Sequence, residues 1–184
     1  MDGSSTSQVD SMSIEGLYLQ GQETNKGYGI EIRETGNTKV FSAHRLHSSH
    51  FKYGVQYFGS SYLLITDSLF GNNLTADINQ TGAGTVRLDC VNSENSRRIF
   101  VQTSGTTYCN AMMNNCEFTV LANTAGAYDI VRVAGFMQIS DSVFRATGAS
   151  GADSIPWFSM GNSFLMSSNF TCGLVLSGVT FGNS

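Results

Sequence analysis

Two aspartates, Asp67 and Asp89, have the residue type and spacing that hydrolysis of a sugar polymer would need. Each directly follows a short predicted strand, at residues 63–66 and 86–88 respectively. Hydrolysis of a glycosidic bond uses two carboxyl groups, about 5–5.5 Å apart for retention and about 6.5–9.5 Å apart for inversion. Neighbouring strands of a sheet lie about 4.8 Å apart, so aspartates on successive strands approach the shorter separation. Asp67 and Asp89 are therefore the candidate catalytic pair.

Other roles remain open for these charged residues. Thr-Asp-Ser at Asp67 and Ser-Asp-Ser at Asp141 are typical turn sequences, because an Asp side chain bonds nearby backbone groups. A lyase would instead use calcium carboxylates and a basic proton acceptor, but the chain has no repeated Asp motif of the calcium-loop kind. Arg45 and Arg87 align in one outward column of the repeat, where they would contact an acidic sugar or only solvent.

Tyr62 and Trp157 are the aromatic residues predicted to stack on sugar rings. Trp157 is the only tryptophan, and it flanks a long segment rich in Gly and Ala. Packing in the core is the competing role, because large aromatic rings favour burial. With Arg45 and Arg87, these two residues form the predicted glycan-binding set.

The histidines and cysteines do not have the spacing of a metal site, so neither a metal nor a cofactor is predicted. The residues concerned are His44, His47, His50, Cys90, Cys109, Cys116 and Cys172. The three histidines recur at intervals of three, which strands would scatter. Cys116 occupies a position that serine fills in other copies of the repeat. We therefore expect free thiols buried in the core rather than disulfides.

A recurring phrase of eight residues must position all these candidates. It reads apolar, any, apolar, two polar or small residues, small, any, Phe, and it occupies residues 63–70, 111–118 and 137–144. Partial copies occupy residues 45–51, 86–93 and 174–181. The copies end at positions 51, 70, 93, 118 and 144, and a period of about 19–26 residues indicates a solenoid.

The rest of each repeat completes a turn of that solenoid. Further apolar strands occupy residues 29–33, 54–57, 76–78, 98–101 and 129–133. Two or three short strands per turn, with loops of variable length, predict an all-β fold, a right-handed parallel β-helix of about seven turns. Residues 12–184 are predicted to form this domain. Residues 1–11 lack periodicity and are predicted to be a flexible leader.

Alternation along the phrase predicts three inward stacks and one outward column. The first stack is Ile14, Leu46, Ile65, Leu88, Met113, Ile139 and Leu176. The second is Leu17, Ser49, Ser68, Val91, Cys116, Ser142 and Val179. The third is Leu19, Phe51, Phe70, Phe118, Phe144 and Phe181. Outward Leu64, Met112 and Val175 need a cover, which a loop of the same chain or another subunit would supply.

Composition narrows the classes of partner. The 184 residues are 41% hydrophobic and only 13% charged, with a net charge of −4. Such a chain lacks the basic field that nucleic acid attracts, so no nucleic-acid partner is expected. No apolar run reaches the roughly 18 residues of a membrane span, so no membrane partner is expected.

The phrases Ile-Ser-Asp-Ser-Val-Phe144 and Leu-Ser-Gly-Val-Thr-Phe181, repeated over residues 13–184, carry a resemblance. The chain resembles the right-handed β-helix superfamily of pectate-lyase-like proteins, and most of all bacteriophage tailspikes and tail fibres. This resemblance implies a homotrimer at a virion tail that binds, and often cleaves, bacterial surface polysaccharide.

We therefore expect a glycan-binding tailspike or tail-fibre segment. The alternatives are a polysaccharide depolymerase, either hydrolase or lyase, and a structural β-helix without a ligand. Because the final phrase ends within the last residues of the chain, a further domain or chain is also expected to close the C-terminal coil.

Overall fold

The structure is a computed structural model that describes residues 11–22, 27–33, 40–59, 61–102, 109–121, 131–133, 137–147, 158–160, 163–170, 176–177 and 180–181. Within these ranges the regular structure is entirely β-strand, arranged in parallel sheets that stack as a β-solenoid. The predicted all-β parallel β-helix is therefore confirmed. No helix in the described ranges is long and apolar enough to cross a membrane.

Each turn has three strands, which stack into three columns. The first column contains β1 (Ser11–Glu15), β4 (Val40–His44), β7 (Tyr62–Thr66), β10 (Gly84–Asp89), β13 (Cys109–Asn114) and the start of β16 (Met137–Thr147). The second contains β2 (Tyr18–Gln20), β5 (His47–Ser49), β8 (Leu69–Gly71), β11 (Asn92–Ser96), β14 (Glu117–Leu121) and the end of β16. Both columns belong to one sheet.

The third column forms a separate sheet. It contains β3 (Tyr28–Arg33), β6 (Tyr53–Phe58), β9 (Ala76–Gln80), β12 (Phe100–Gln102), β15 (Val131–Val133), β17 (Phe158–Met160) and β19 (Leu176–Ser177). Strand β18 (Ser163–Phe170) pairs with β16, and β20 (Thr180–Phe181) pairs with β18. Strands β1 to β12 make about four turns, where the sequence predicts about seven, and strands β13 to β20 continue the same sheets as far as Phe181.

Much of the inward packing follows the predicted stacks. Strand pairing places Ile14, Ile65, Leu88, Met113 and Ile139 in one register, and the last four of them are buried. In the third stack Phe70 and Phe118 are buried as predicted, and the strand register aligns Phe144 with Phe118. Stacking the same residue type in successive turns excludes water from a continuous core, which is how a solenoid gains stability.

The predicted alignment of the second turn is wrong by three residues. Ala43, not Leu46, lies beside Ile65, and Ser48, not Phe51, lies beside Phe70. Leu46 belongs to the second stack, in the place predicted for Ser49. The hydrogen bond from the Leu69 N–H to the Leu46 carbonyl shows this alignment. The wrong alignment arose because the sequence His-Ser-Ser-His-Phe51 has the same pattern of residue types as the end of the phrase.

The last turn also differs from the prediction. Leu176 lies in β19 of the third column, opposite Phe158. Phe181 pairs with Phe164 in the first column, and Phe170 pairs in register with Phe144. Val179 lies outside the described residues. The phrases that end at Phe170 and Phe181 are only 11 residues apart. They cannot both occupy the same column, because the chain must complete a turn of three strands between two strands of one column.

The corner between the first two columns is built in the same way in each turn. One residue with φ between 47° and 66° bends the chain there, and the series is Gly16, Arg45, Asp67, Cys90, Asn115 and Asp141. Gly, Asn and Asp tolerate this left-handed conformation better than other residues do. The predicted turn role of Asp67 and Asp141 is thus confirmed by their backbone geometry.

A buried polar cluster lies inside the second, third and fourth turns. Asp77 is 1% exposed, and its carboxylate accepts hydrogen bonds from Asn73 Nδ2 at 2.8 Å and from Ser93 Oγ at 2.5 Å. Asn73 Nδ2 also donates to the Ser48 carbonyl at 3.1 Å. Burial raises the pKa of Asp77 to about 6, although hydrogen bonds from Asn73, Ser93 and Ser96 oppose this change.

Candidate functional site: the polar corner

Two columns of mostly polar side chains run along the corner between the first and second strand columns. The end column contains the last residue of each first strand: Glu15, His44, Thr66, Asp89, Asn114 and, in β16, Ser140. The turn column contains the next residue in each turn: Gly16, Arg45, Asp67, Cys90, Asn115 and Asp141. We call these two columns together the polar corner.

Side-chain hydrogen bonds link successive turns along the end column. Ser140 Oγ donates to Asn114 Oδ1 at 2.8 Å, and Asn114 Nδ2 donates to Asp89 Oδ1 at 2.9 Å. In the second and third turns, His44 Nδ1 and Thr66 Oγ1 are 2.9 Å apart. Because the Asn114 amide is held at both its oxygen and its nitrogen, its orientation is fixed.

Two arginines pair with carboxylates at the polar corner, and a histidine contacts a third carboxylate. Arg87 lies 3.4 Å from Asp89 Oδ2, and His44 Nδ1 lies 3.2 Å from Asp67 Oδ2. The Arg45 guanidinium contacts the Glu15 carboxylate. The hydrogen bond and the positive charge of Arg45 lower the pKa of Glu15.

The predicted catalytic aspartates lie on adjacent turns of this corner. Asp67 N–H donates to the Asp89 carbonyl at 3.0 Å, which joins the two turns through the backbone. Their carboxylates have different partners, since Asp67 contacts His44 and Asp89 contacts Arg87 and Asn114. The Asp67 side chain is 53% exposed and that of Asp89 is 28% exposed, so both are accessible to a ligand. Their catalytic role stays a prediction.

His44 does not form a catalytic triad with its neighbours. A histidine that relays a proton contacts the carboxylate through one ring nitrogen and the nucleophile through the other. Here Thr66 Oγ1 and Asp67 Oδ2 both lie near Nδ1, at 2.9 and 3.2 Å. The arrangement therefore anchors the histidine ring without activating the threonine hydroxyl.

The predicted glycan-binding residues are not all brought together. Tyr62 begins β7 and is four residues from Thr66, which corresponds to about 13 Å along the strand. Arg45 does not share a column with Arg87, because it lies in the turn column; the alignment error of the second turn explains this wrong prediction. Trp157 lies outside the described residues.

Arg87 lies in an outward column of the first sheet. Its neighbours in register are Leu64 and Met112, and both of these apolar side chains are half-buried. Their predicted outward position is confirmed, while Val175 lies outside the described residues. Arg87 itself is exposed and reaches along its strand towards Asp89.

Sequence reasoning missed the end column as a unit. Thr66, Asn114 and Ser140 are ordinary polar residues, and none belongs to a known catalytic motif. The sequence feature that could have identified them is the recurrence of polar residues at the position before each turn. That feature becomes a site only when the strand register places their side chains side by side.

The thiols and the acidic groups do not form a metal site in the part of the chain that the structure describes. Cys90 and Cys116 are free thiols there. Cys116 is buried as predicted, and burial raises its pKa to about 11. Cys90 is half-buried in the turn column, where Asn115 Nδ2 donates to its sulfur at 3.2 Å.

Comparisons of the chain with protein-family models, with curated proteins and with solved structures find no match.

Proposed function

We propose that this β-solenoid is a segment of a bacteriophage tailspike or tail fibre that binds bacterial surface polysaccharide at the polar corner. The observation that carries the proposal is the hydrogen-bonded series Asp89, Asn114 and Ser140 on three successive turns. A polysaccharide presents polar groups repeatedly along its length. A straight series of fixed polar side chains, about 4.8 Å apart, complements such a repeating ligand.

The rigidity of the series supports binding. Ordering a flexible side chain on binding costs about 0.5–1.5 kcal/mol, and groups already held by neighbours avoid that cost. Asn114 is held by both neighbouring turns, and His44 is held by Thr66 and Asp67. The corner is also accessible, since the His44 side chain is 41% exposed.

Binding to purified polysaccharide tests this proposal. The chain is passed over surfaces carrying bacterial O-antigen and capsular polysaccharides, and retention is measured by biolayer interferometry. We expect retention on at least one surface, reduced about tenfold or more by Asn114→Ala. Exposed Asn92 of the neighbouring column provides the matched control, and Asn92→Ala should leave retention unchanged. A chain that no polysaccharide retains would be only a structural scaffold.

A homotrimer at the virion tail is part of the proposal. Leu64 and Met112 place two half-buried apolar side chains on the outward side of the first sheet, beside the polar corner. Contact with other copies of the chain would remove this apolar surface from water. Light scattering coupled to size exclusion should give three times the chain mass of 19.8 kDa, whereas a stable monomer would contradict the trimer.

Polysaccharide cleavage is a second candidate, favoured by the adjacency of Asp67 and Asp89. A hydrolase would release reducing ends from a retained polysaccharide, and a lyase would release unsaturated products that absorb ultraviolet light. Replacing both aspartates with Asn should abolish such cleavage while the far-ultraviolet circular dichroism stays unchanged. Cleavage that survives the double replacement would exclude this pair.

A further inference from the structure

We infer that the glycan recognised at the polar corner is neutral, and this inference rests on the proposed function. The charges of the described residues carry it. The corner and the adjoining Arg87 contain four carboxylates and two guanidinium groups, namely Glu15, Asp67, Asp89, Asp141, Arg45 and Arg87. With histidine counted as neutral, the site has two more carboxylates than guanidinium groups.

Both guanidinium groups already have acidic partners. Arg45 is paired with Glu15, and Arg87 is paired with Asp89. The carboxylate of an acidic sugar would have to displace one of these partners, and it would approach a site that is already negative. Displacement exchanges one charge-assisted contact for another and gains little, while repulsion from the remaining carboxylates opposes binding. The site therefore selects against polyanions.

Neutral hydroxyl groups meet complementary partners at the same place. An asparagine amide has two N–H donors and two lone pairs on its oxygen. In Asn114 one donor is used by Asp89 and one lone pair by Ser140. The second donor and second lone pair belong to the same fixed amide plane. Two neighbouring sugar hydroxyls can donate to the oxygen and accept from the nitrogen together.

The inference is tested with one polymer in two charge states. A capsular polysaccharide that contains uronic acid is compared with its carboxyl-reduced form, in which each uronate has become a neutral hexose. Neutral O-antigen polysaccharides are measured beside them. We expect retention on neutral surfaces and at least tenfold weaker retention on the native acidic polymers. Preferential retention on native acidic polymer, lost after reduction, would overturn the neutral ligand but uphold glycan binding. Retention on no surface would overturn both.

A pair of variants tests the role of the ion pairs. Glu15→Gln removes one negative charge and releases Arg45, whereas Glu94→Gln removes the same charge from an exposed position on the second column. We expect Glu15→Gln to gain retention on native acidic polymer at least threefold, with the gain lost at high salt. Glu94→Gln should show no gain. Equal gains in both variants, or none in either, would contradict control by the paired arginine.

Discussion

The Ser93 hydroxyl donates a hydrogen bond of 2.5 Å to the carboxylate of Asp77 inside the solenoid. Ser93 occupies a position at which the turns before and after have Phe70 and Phe118. A phenyl ring there would leave the carboxylate without this donor and would fill the space next to it. The polar cluster thus explains why the aromatic stack is interrupted at the fourth turn.

Stability should depend on pH through Asp77. Its folded-state pKa is about 6, above the 3.8 of an unburied carboxyl, because burial disfavours the charged form. The folded protein therefore binds this proton more tightly than the unfolded chain does. The stabilising contribution is complete below pH 3.8, decreases as the pH rises to about 6, and is absent above that. About two pKa units correspond to about 3 kcal/mol.

The Asp77→Asn variant isolates this effect. Other carboxyl groups titrate in the same range, and Glu15 has a lowered pKa that acts in the opposite direction. Urea unfolding of the wild type and the variant should be measured at several pH values from 4 to 8. The difference between their free energies of unfolding should change by about 1–3 kcal/mol between pH 4 and 7. A constant difference would show that Asp77 does not titrate in this range.

The sequence predicts the architecture well because the architecture is a repeat. Ile65, Leu88, Met113 and Ile139 recur at the same place in successive turns, and each is buried as predicted. The second turn fails because Ser48 replaces an aromatic residue, and Phe51 lies three positions later. The hydroxyl of Ser48 donates to the Gly54 carbonyl at 3.1 Å, so a hydrogen bond to the following strand replaces the apolar contact. Residue type alone does not reveal such a bond.

The candidate site is less predictable for a related reason. The sequence indicates Asp67 and Asp89 because carboxylates suggest catalysis, but it does not indicate Asn114 or Ser140. Their significance depends on side-chain hydrogen bonds between turns 25 and 26 residues apart. The alignment error of three residues in the second turn also placed Arg45 on the strand, whereas the structure has it at the corner. The strand register of successive turns must therefore be known before the residues of a site on a solenoid can be identified.

Cys116 should be replaceable by serine at little cost. Its sulfur lies 3.2 Å from the Asn114 carbonyl oxygen, and Ser142 in the following turn makes the equivalent bond to Ser140 at 2.8 Å. Cys116→Ser should change the free energy of unfolding by less than about 1 kcal/mol, because the hydroxyl finds this acceptor. Cys116→Leu should lower it by about 1–3 kcal/mol through overpacking. Urea denaturation of both variants measures the difference, and equal losses would contradict the role of the hydrogen bond.

The same thiol should resist alkylation in the folded protein. Burial and the raised pKa of about 11 both reduce the reactive thiolate at Cys116. Cys90 is half-buried and provides the internal comparison. Iodoacetamide treatment at pH 8, followed by peptide mass spectrometry, should modify Cys90 at least tenfold faster than Cys116. Equal rates before unfolding would show that the core admits the reagent.

Arg45 should be less favourable to the fold than glycine. Its φ of 53° is left-handed, and Gly16 fills the equivalent corner in the first turn. Arg45→Gly should raise the free energy of unfolding by about 0.5–1 kcal/mol, since the exposed pair with Glu15 contributes little. Arg45→Val should lower it, because a β-branched residue is strained at positive φ. Thermal unfolding measured by circular dichroism should rank glycine above arginine and arginine above valine; any other order would contradict the backbone argument.

Gly54 should not tolerate a methyl group, although Gly71 in the other sheet should. A Cβ atom at Gly54 would lie 2.8 Å from the Asp77 carbonyl oxygen and 2.8 Å from Phe70 Cδ1. At Gly71 the nearest atom is the Glu94 carbonyl oxygen at 3.5 Å, an ordinary contact. Gly54→Ala should therefore lower the free energy of unfolding by about 1–3 kcal/mol. Gly71→Ala should be neutral or stabilise by up to about 1 kcal/mol, because alanine restricts the unfolded chain. Urea denaturation of the two variants at one protein concentration measures both values. Equal effects would contradict the close approach of strands β6 and β9 at Gly54, and with it the tight packing around Asp77.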